Sequence, residues 1–256
     1  MLEEGLLLKK VVIATVLLVC GCTSLQIPDN FSYKEISAGD FKLASWQKIT
    51  NGQAPVKIYI EGDGHSFDVY GQPTNNPTPK GTLLRKIAFN DDNPNVVYLA
   101  RPCQFVKDDK CIQKYWTTAR FSPEVIQAEA SAVRKIAKGR SVILIGFSGG
   151  AQIAGLIAVL NTDISVKKLV TIGGNLDHKA WTAYHDLPYL RDSLNLASYR
   201  DKYLQIPQVH FIGAKDEIIP PALVKKFAHA EDIKEVKKAQ HNKGWESIYP
   251  LIWAEQ

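Results

Sequence analysis

The chain predicts an α/β protein with a doubly wound, mostly parallel sheet and a small cap, and three observations predict it. Short apolar runs of strand length alternate with longer helix-patterned segments, the order that builds parallel sheets. The apolar run Ser141-Val142-Ile143-Leu144-Ile145 enters Gly146-Phe147-Ser148-Gly149-Gly150 and leaves into the small, apolar stretch 151–158, a strand–turn–helix passage. Later strands are followed in turn by an acid, Asp216, and by a histidine, His241. After the leader described next, about 235 of the 256 residues remain, enough for one domain with a substantial core.

At the N-terminus, Lys9-Lys10 precede the apolar run 11–19, which is shorter than a spanning helix needs. The run ends in Val19-Cys20-Gly21-Cys22, which resembles the bacterial lipoprotein box. That resemblance implies a signal peptide over 1–21, lipid on Cys22, a tether over 22–40, and a protein anchored to a membrane of the bacterial envelope. A secretory leader cleaved without lipidation and an uncleaved helical anchor are the alternatives. The folded domain is expected over 41–256.

Residues 56–60 read as a buried strand running into Glu61-Gly62-Asp63-Gly64-His65. The stretch 71–79, rich in Pro, Asn and Gly, reads as a surface loop rather than a linker. Residues 96–100 read as another strand. If, as the resemblance implies, Cys20 leaves with the signal and Cys22 carries lipid, two of the four cysteines remain, Cys103 and Cys111. An oxidising envelope favours a disulfide between them, worth about 2–3 kcal/mol in the chain-entropy picture.

The Gly-x-Ser-x-Gly pentapeptide at 146–150 has a physical reading. A serine on a tight strand-to-helix turn projects its hydroxyl above the sheet, and flanking glycines let the turn close. The Gly149 amide, at the start of the helix, is placed to donate to an oxyanion. Serine is a poor nucleophile without a base, and the base needs an orienting group. Asp216 follows the strand 209–213, where sites of open α/β sheets form; Glu217 is its rival. His241 follows the edge strand ending at 240 and precedes a terminal helix from 245. His210 lies within a strand and reads as core, and His229 as solvated. Between the strand 168–171 and that at 209 lies a long excursion, 175–207, read as a cap. In it Trp181 and Tyr184, with Tyr189, are pocket candidates, or simple packing. His178 and His185 are minor candidates for substrate contact.

The elbow 146–150, the segment Gly213-Ala214-Lys215-Asp216-Glu217-Ile218-Ile219-Pro220 and His241 resemble the α/β-hydrolase superfamily, over roughly residues 40–256. The chain is also similar to a set of bacterial α/β-hydrolase lipoproteins. The resemblance implies a Ser148-His241-Asp216 triad and a second oxyanion amide from the 61–65 loop. That loop usually reads His-Gly; here Glu61 stands in the first place. Asp63 or Gly64 is the expected donor, with the Asp63 side chain paired elsewhere. A metal cluster of Glu61, Asp63 and His65 is an alternative, although no second cluster completes a coordination shell, so neither metal nor cofactor is expected. The implied activity is hydrolysis of ester-like bonds of a small acyl substrate. A peptidase or amidase, an acyltransferase, and a non-catalytic binding protein on the same scaffold stay open. The net charge of +5 is spread along the chain, and no basic–aromatic pattern points to nucleic acid. No obligate protein partner is implied.

Overall fold

The computed structural model describes residues 25–255. The signal peptide over 1–21 and the lipidation at Cys22 lie outside the described residues. Along the chain come β1 (Ser32–Ala38), β2 (Phe41–Ile49), β3 (Val56–Ile60), α1 (Leu83–Phe89), β4 (Asn95–Leu99), α2 (Pro123–Ala137), β5 (Val142–Phe147) and α3 (Gly150–Leu160). Then follow β6 (Val166–Ile172), α4 (His178–Tyr184), α5 (Arg200–Tyr203), β7 (Gln208–Gly213), α6 (Pro221–Phe227), β8 (Ile233–Val236) and α7 (Tyr249–Trp253).

The strands form one sheet in the order β1-β2-β4-β3-β5-β6-β7-β8. β2 runs antiparallel to β1 and β4, and all pairings from β4 through β8 are parallel. The central strands β3, β4, β5 and β7 are buried along their whole length, as strands covered on both faces must be. Side chains alternate between two cores. Val56, Ile58 and Leu144 face the layer of α2 and α3, while Tyr59, Ile143 and Ile145 face the layer of α1 and α7. α2 begins cleanly because the Ser122 side chain accepts from the Val125 amide and Pro123 fills the first turn.

Two sequence expectations change. The tether over 22–40 is interrupted: residues 32–38 form β1, in register with β2. β1 is an edge strand with a largely exposed, polar sequence, so it carries little hydrophobic signal. The cap over 175–207 is smaller than expected. Only its first part, with α4, lies over the C-terminal edge of the sheet. Leu196 and Tyr203 are fully buried in the core beside α3 and belong to the helix layer. A disulfide joins Cys103 to Cys111 just beyond β4.

Candidate active site

The chain leaves β5 through Ser148, whose φ of 52° lies in the left-handed region that a non-glycine residue adopts only at a cost. The turn is held by backbone bonds. The Ser148 amide donates to Ile172 O over 3.1 Å, and its carbonyl accepts from Asn175 N over 3.0 Å. Gly146 is obligatory: a Cβ there would meet the Ala151 backbone at 2.6 Å.

Asp216 stands three residues past the end of β7, its carboxylate buried. Oδ1 accepts from the amides of Ile218 and Ile219, at 3.0 and 2.8 Å, which fixes the carboxylate plane. Oδ2 accepts from His241 Nδ1 at 2.9 Å. That bond assigns the proton to Nδ1 and leaves Nε2 as an acceptor, to which the Ser148 hydroxyl donates over 3.0 Å. The imidazole is also placed by the Phe147 ring, 5.0 Å centroid to centroid, and by Trp245 Nε1, which donates to the His241 carbonyl over 3.0 Å. Ser148, Asp216 and His241 are thus brought together from three loops, and Glu217, the rival acid, is exposed.

The loop after β3 forms the facing wall. Gly62 packs against Ser148, where a Cβ would meet the serine Cβ at 3.1 Å. Its amide is occupied by Glu61 Oε1 at 2.8 Å, and the other Glu61 oxygen accepts from Tyr98 Oη at 2.7 Å. Burial pushes the Glu61 carboxyl up, against those two bonds. Gly64 has a φ of +66° and is packed on the Pro77 carbonyl, where a Cβ would sit 2.1 Å away. The amides of Asp63 and Gly149 donate to no protein acceptor among the described residues. The Asp63 carboxylate accepts from Arg120 Nη1 at 2.6 Å and Arg101 Nη1 at 3.3 Å. Burial alone would raise its pKa, but Arg120 and then Arg101 hold it below the ordinary value. Arg101 also faces the fully buried Glu129, with Nε 3.6 Å from Oε1. Burial outweighs that attraction and pushes Glu129 up to about 8. Gln104 completes the grip, donating to the Gly62 carbonyl over 3.0 Å.

These walls enclose an open cleft of about 510 Å³ with Ser148 and His241 on its floor. Trp181 lines it and donates Nε1 to the Ile218 carbonyl. Tyr184 does not line it, against expectation: it is 61% exposed, on the outer side of α4 against His185. His178 is buried, donating from Nε2 to the Leu194 carbonyl over 3.1 Å and stacked on Phe121, away from the cleft. Glu61, Asp63 and His65 do not converge, because the two carboxylates are engaged by Tyr98 and by the arginines. Sequence reasoning missed Arg101, Gln104, Arg120, Glu129 and Phe67. One available signal was the position of Arg101, two residues after β4 at the edge of the sheet where sites gather.

An eight-stranded sheet of this order, carrying a strained serine between strand and helix, defines an α/β-hydrolase. The sequence profile of the serine hydrolase (FSH1) family matches residues 90–245, and the chain belongs to that family. A search of the curated proteins found no match. Among solved structures it is similar to Est1E from Butyrivibrio proteoclasticus, at 14% identity and TM-score 0.57 over 86% of this chain and 94% of that one. The Pyrococcus furiosus esterase Pf2001 gives 17% identity and TM-score 0.57 over 87% and 89%. An α/β fold family hydrolase from Bacillus anthracis gives 12% identity and TM-score 0.54 over 86% and 96%. At such identities the likeness is one of fold.

Proposed function

We propose that this serine hydrolase cleaves ester-like bonds, carboxylic esters or thioesters, through an acyl-enzyme on Ser148. The observation that carries the reading is the unbroken relay Ser148–His241–Asp216, at 3.0 and 2.9 Å, on the floor of the cleft. His241 Nε2 takes the hydroxyl proton as Ser148 Oγ attacks the carbonyl carbon. The oxyanion is met by the amides of Gly149 and Asp63. Collapse breaks the bond to the leaving alcohol or thiol, which takes the proton from His241. Water then attacks the acyl-enzyme, gives its proton to His241 and releases the acid, and Ser148 recovers its proton. Asp216 keeps the imidazole in the required tautomer and stabilises its cation. The cleft is open and Ser148 is half-buried, so water can reach the acyl-enzyme.

The test is labelling by a fluorophosphonate probe together with turnover of p-nitrophenyl esters. The wild type is expected to label and turn over, and Ser148→Ala to do neither while keeping its melting temperature within a few degrees. Labelling that persists in the variant refutes the assignment. We also propose that Cys22 is lipidated and tethers the domain to a membrane, on the strength of the sequence around it. Cys22→Ser should then move the protein from the membrane fraction to the soluble one; an unchanged distribution rejects the tether.

A further inference from the structure

Arg120, which holds Asp63 in the wall of the cleft, has donor capacity that the acyl transfer does not use. Arg120 precedes α2, lines the same cleft as Ser148, and is only 5% exposed. Its Nε donates to Thr117 O over 2.8 Å and its Nη1 to Asp63 Oδ2 over 2.6 Å. The guanidinium lies between two aromatic rings of the cleft wall, 5.3 Å from the Phe67 centroid and 6.0 Å from that of Trp181. The fork is therefore fixed in plane and position. Its remaining nitrogen, Nη2, donates to no protein group among the described residues.

Charge around the fork points the same way. Two arginines, Arg101 and Arg120, share the single carboxylate of Asp63. Burial keeps Glu129, the other acid beside Arg101, protonated below a pKa of about 8. Glu61 is tied to Tyr98 and Gly62, and Asp216 to His241. Lys80 adds a further positive charge at the lining. A fixed planar fork with excess positive charge and apolar walls suits a planar anion, whose desolvation it offsets with charge-assisted bonds.

We propose that Arg120 determines specificity, and that the preferred ester carries a carboxylate a few atoms from its scissile carbonyl, received by Nη2. This rests on the acyl-enzyme reading and names its substrate class.

The test compares kcat/KM for mono-p-nitrophenyl glutarate with that for a neutral isostere in which isopropyl replaces the carboxylate. A second pair carries the carboxylate on the phenol instead, so the two pairs separate the acyl side from the leaving side. Wild type is expected to prefer the anionic member of at least one pair. That preference should fall about 10-fold or more in Arg120→Met, the scale of one charged hydrogen bond, and be partly kept in Arg120→Lys. Should the variants fold poorly, the wild type alone decides: free glutarate should slow fluorophosphonate labelling competitively. Neutral preference in both pairs, a ratio unchanged in Arg120→Met, or no protection by glutarate overturns the proposal. Wild type that neither labels nor cleaves any of the four esters overturns the acyl-enzyme reading instead, so the two failures are distinct.

Discussion

The two walls of the cleft are built differently. On one side, Ser148, Asp216 and His241 stand on loops that leave β5, β7 and β8, and backbone groups fix their geometry: the Ile218 and Ile219 amides for the acid, the Ile172 carbonyl and the Asn175 amide for the serine. On the other, the 61–66 loop is held by side-chain charges, with Asp63 between two arginines and Glu129 behind them. Backbone bonds made at strand ends come with the sheet itself. A buried charge network exists only while its members balance. Damage to the first wall should therefore appear in rate alone, and damage to the second in rate and stability together.

The largest expected effect tests the first half of that contrast. His241→Ala should lower ester turnover by on the order of 10⁴-fold or more, with little change in urea midpoint. A large loss of stability would break the distinction. Asp63→Ala tests the other half. It leaves Arg101, 4% exposed, with no ionised partner, and should destabilise by roughly 3–5 kcal/mol in urea unfolding while slowing turnover at least about tenfold. Stability equal to wild type would show that the second wall is not held by charge.

The most gradual effect is a pH dependence. Glu129, pushed up to about 8, stays protonated in the fold but ionises above about 4.5 in the unfolded chain. Between those values the native state binds the extra proton, so wild-type stability should fall as pH rises, by at most about 1.4 kcal/mol per pH unit. The loss should level off above pH 8. Glu129→Gln has no such titration, and its stability relative to wild type should climb over the same window. Parallel urea midpoints for the two proteins at pH 5, 7 and 9 would remove Glu129 from the network.

Much of the first wall was legible in the sequence because its signals are local. A pentapeptide between an apolar strand and an apolar helix marks Ser148, and Asp216 and His241 follow strands whose runs are plain. The central strands were legible for the same reason, and the Cys103–Cys111 pair followed from accounting for the two cysteines of the leader. The second wall was not. Asp63 meets Arg101 and Arg120 across 38 and 57 residues, and no local pattern distinguishes those arginines from solvated ones. Glu129 lies in an amphipathic helix, where a glutamate normally faces water, and only the packing of α2 on the sheet shows it buried. Tyr184 failed for a related reason. Residues three apart on a helix share a side, but the cleft reaches only as far as Trp181.

The approach of Asp63 to Gly149 has an evolutionary consequence. A Cβ at 149 would sit 2.1 Å from Asp63 Oδ1. The two positions are therefore epistatic: alanine at 149 is heavily penalised while Asp63 stands, and less so once a shorter residue occupies 63. Mutational routes away from Gly149 are ordered. They must pass first through a loss at 63 that strands two buried arginines, so a lineage is steered to keep both residues or to exchange the whole wall.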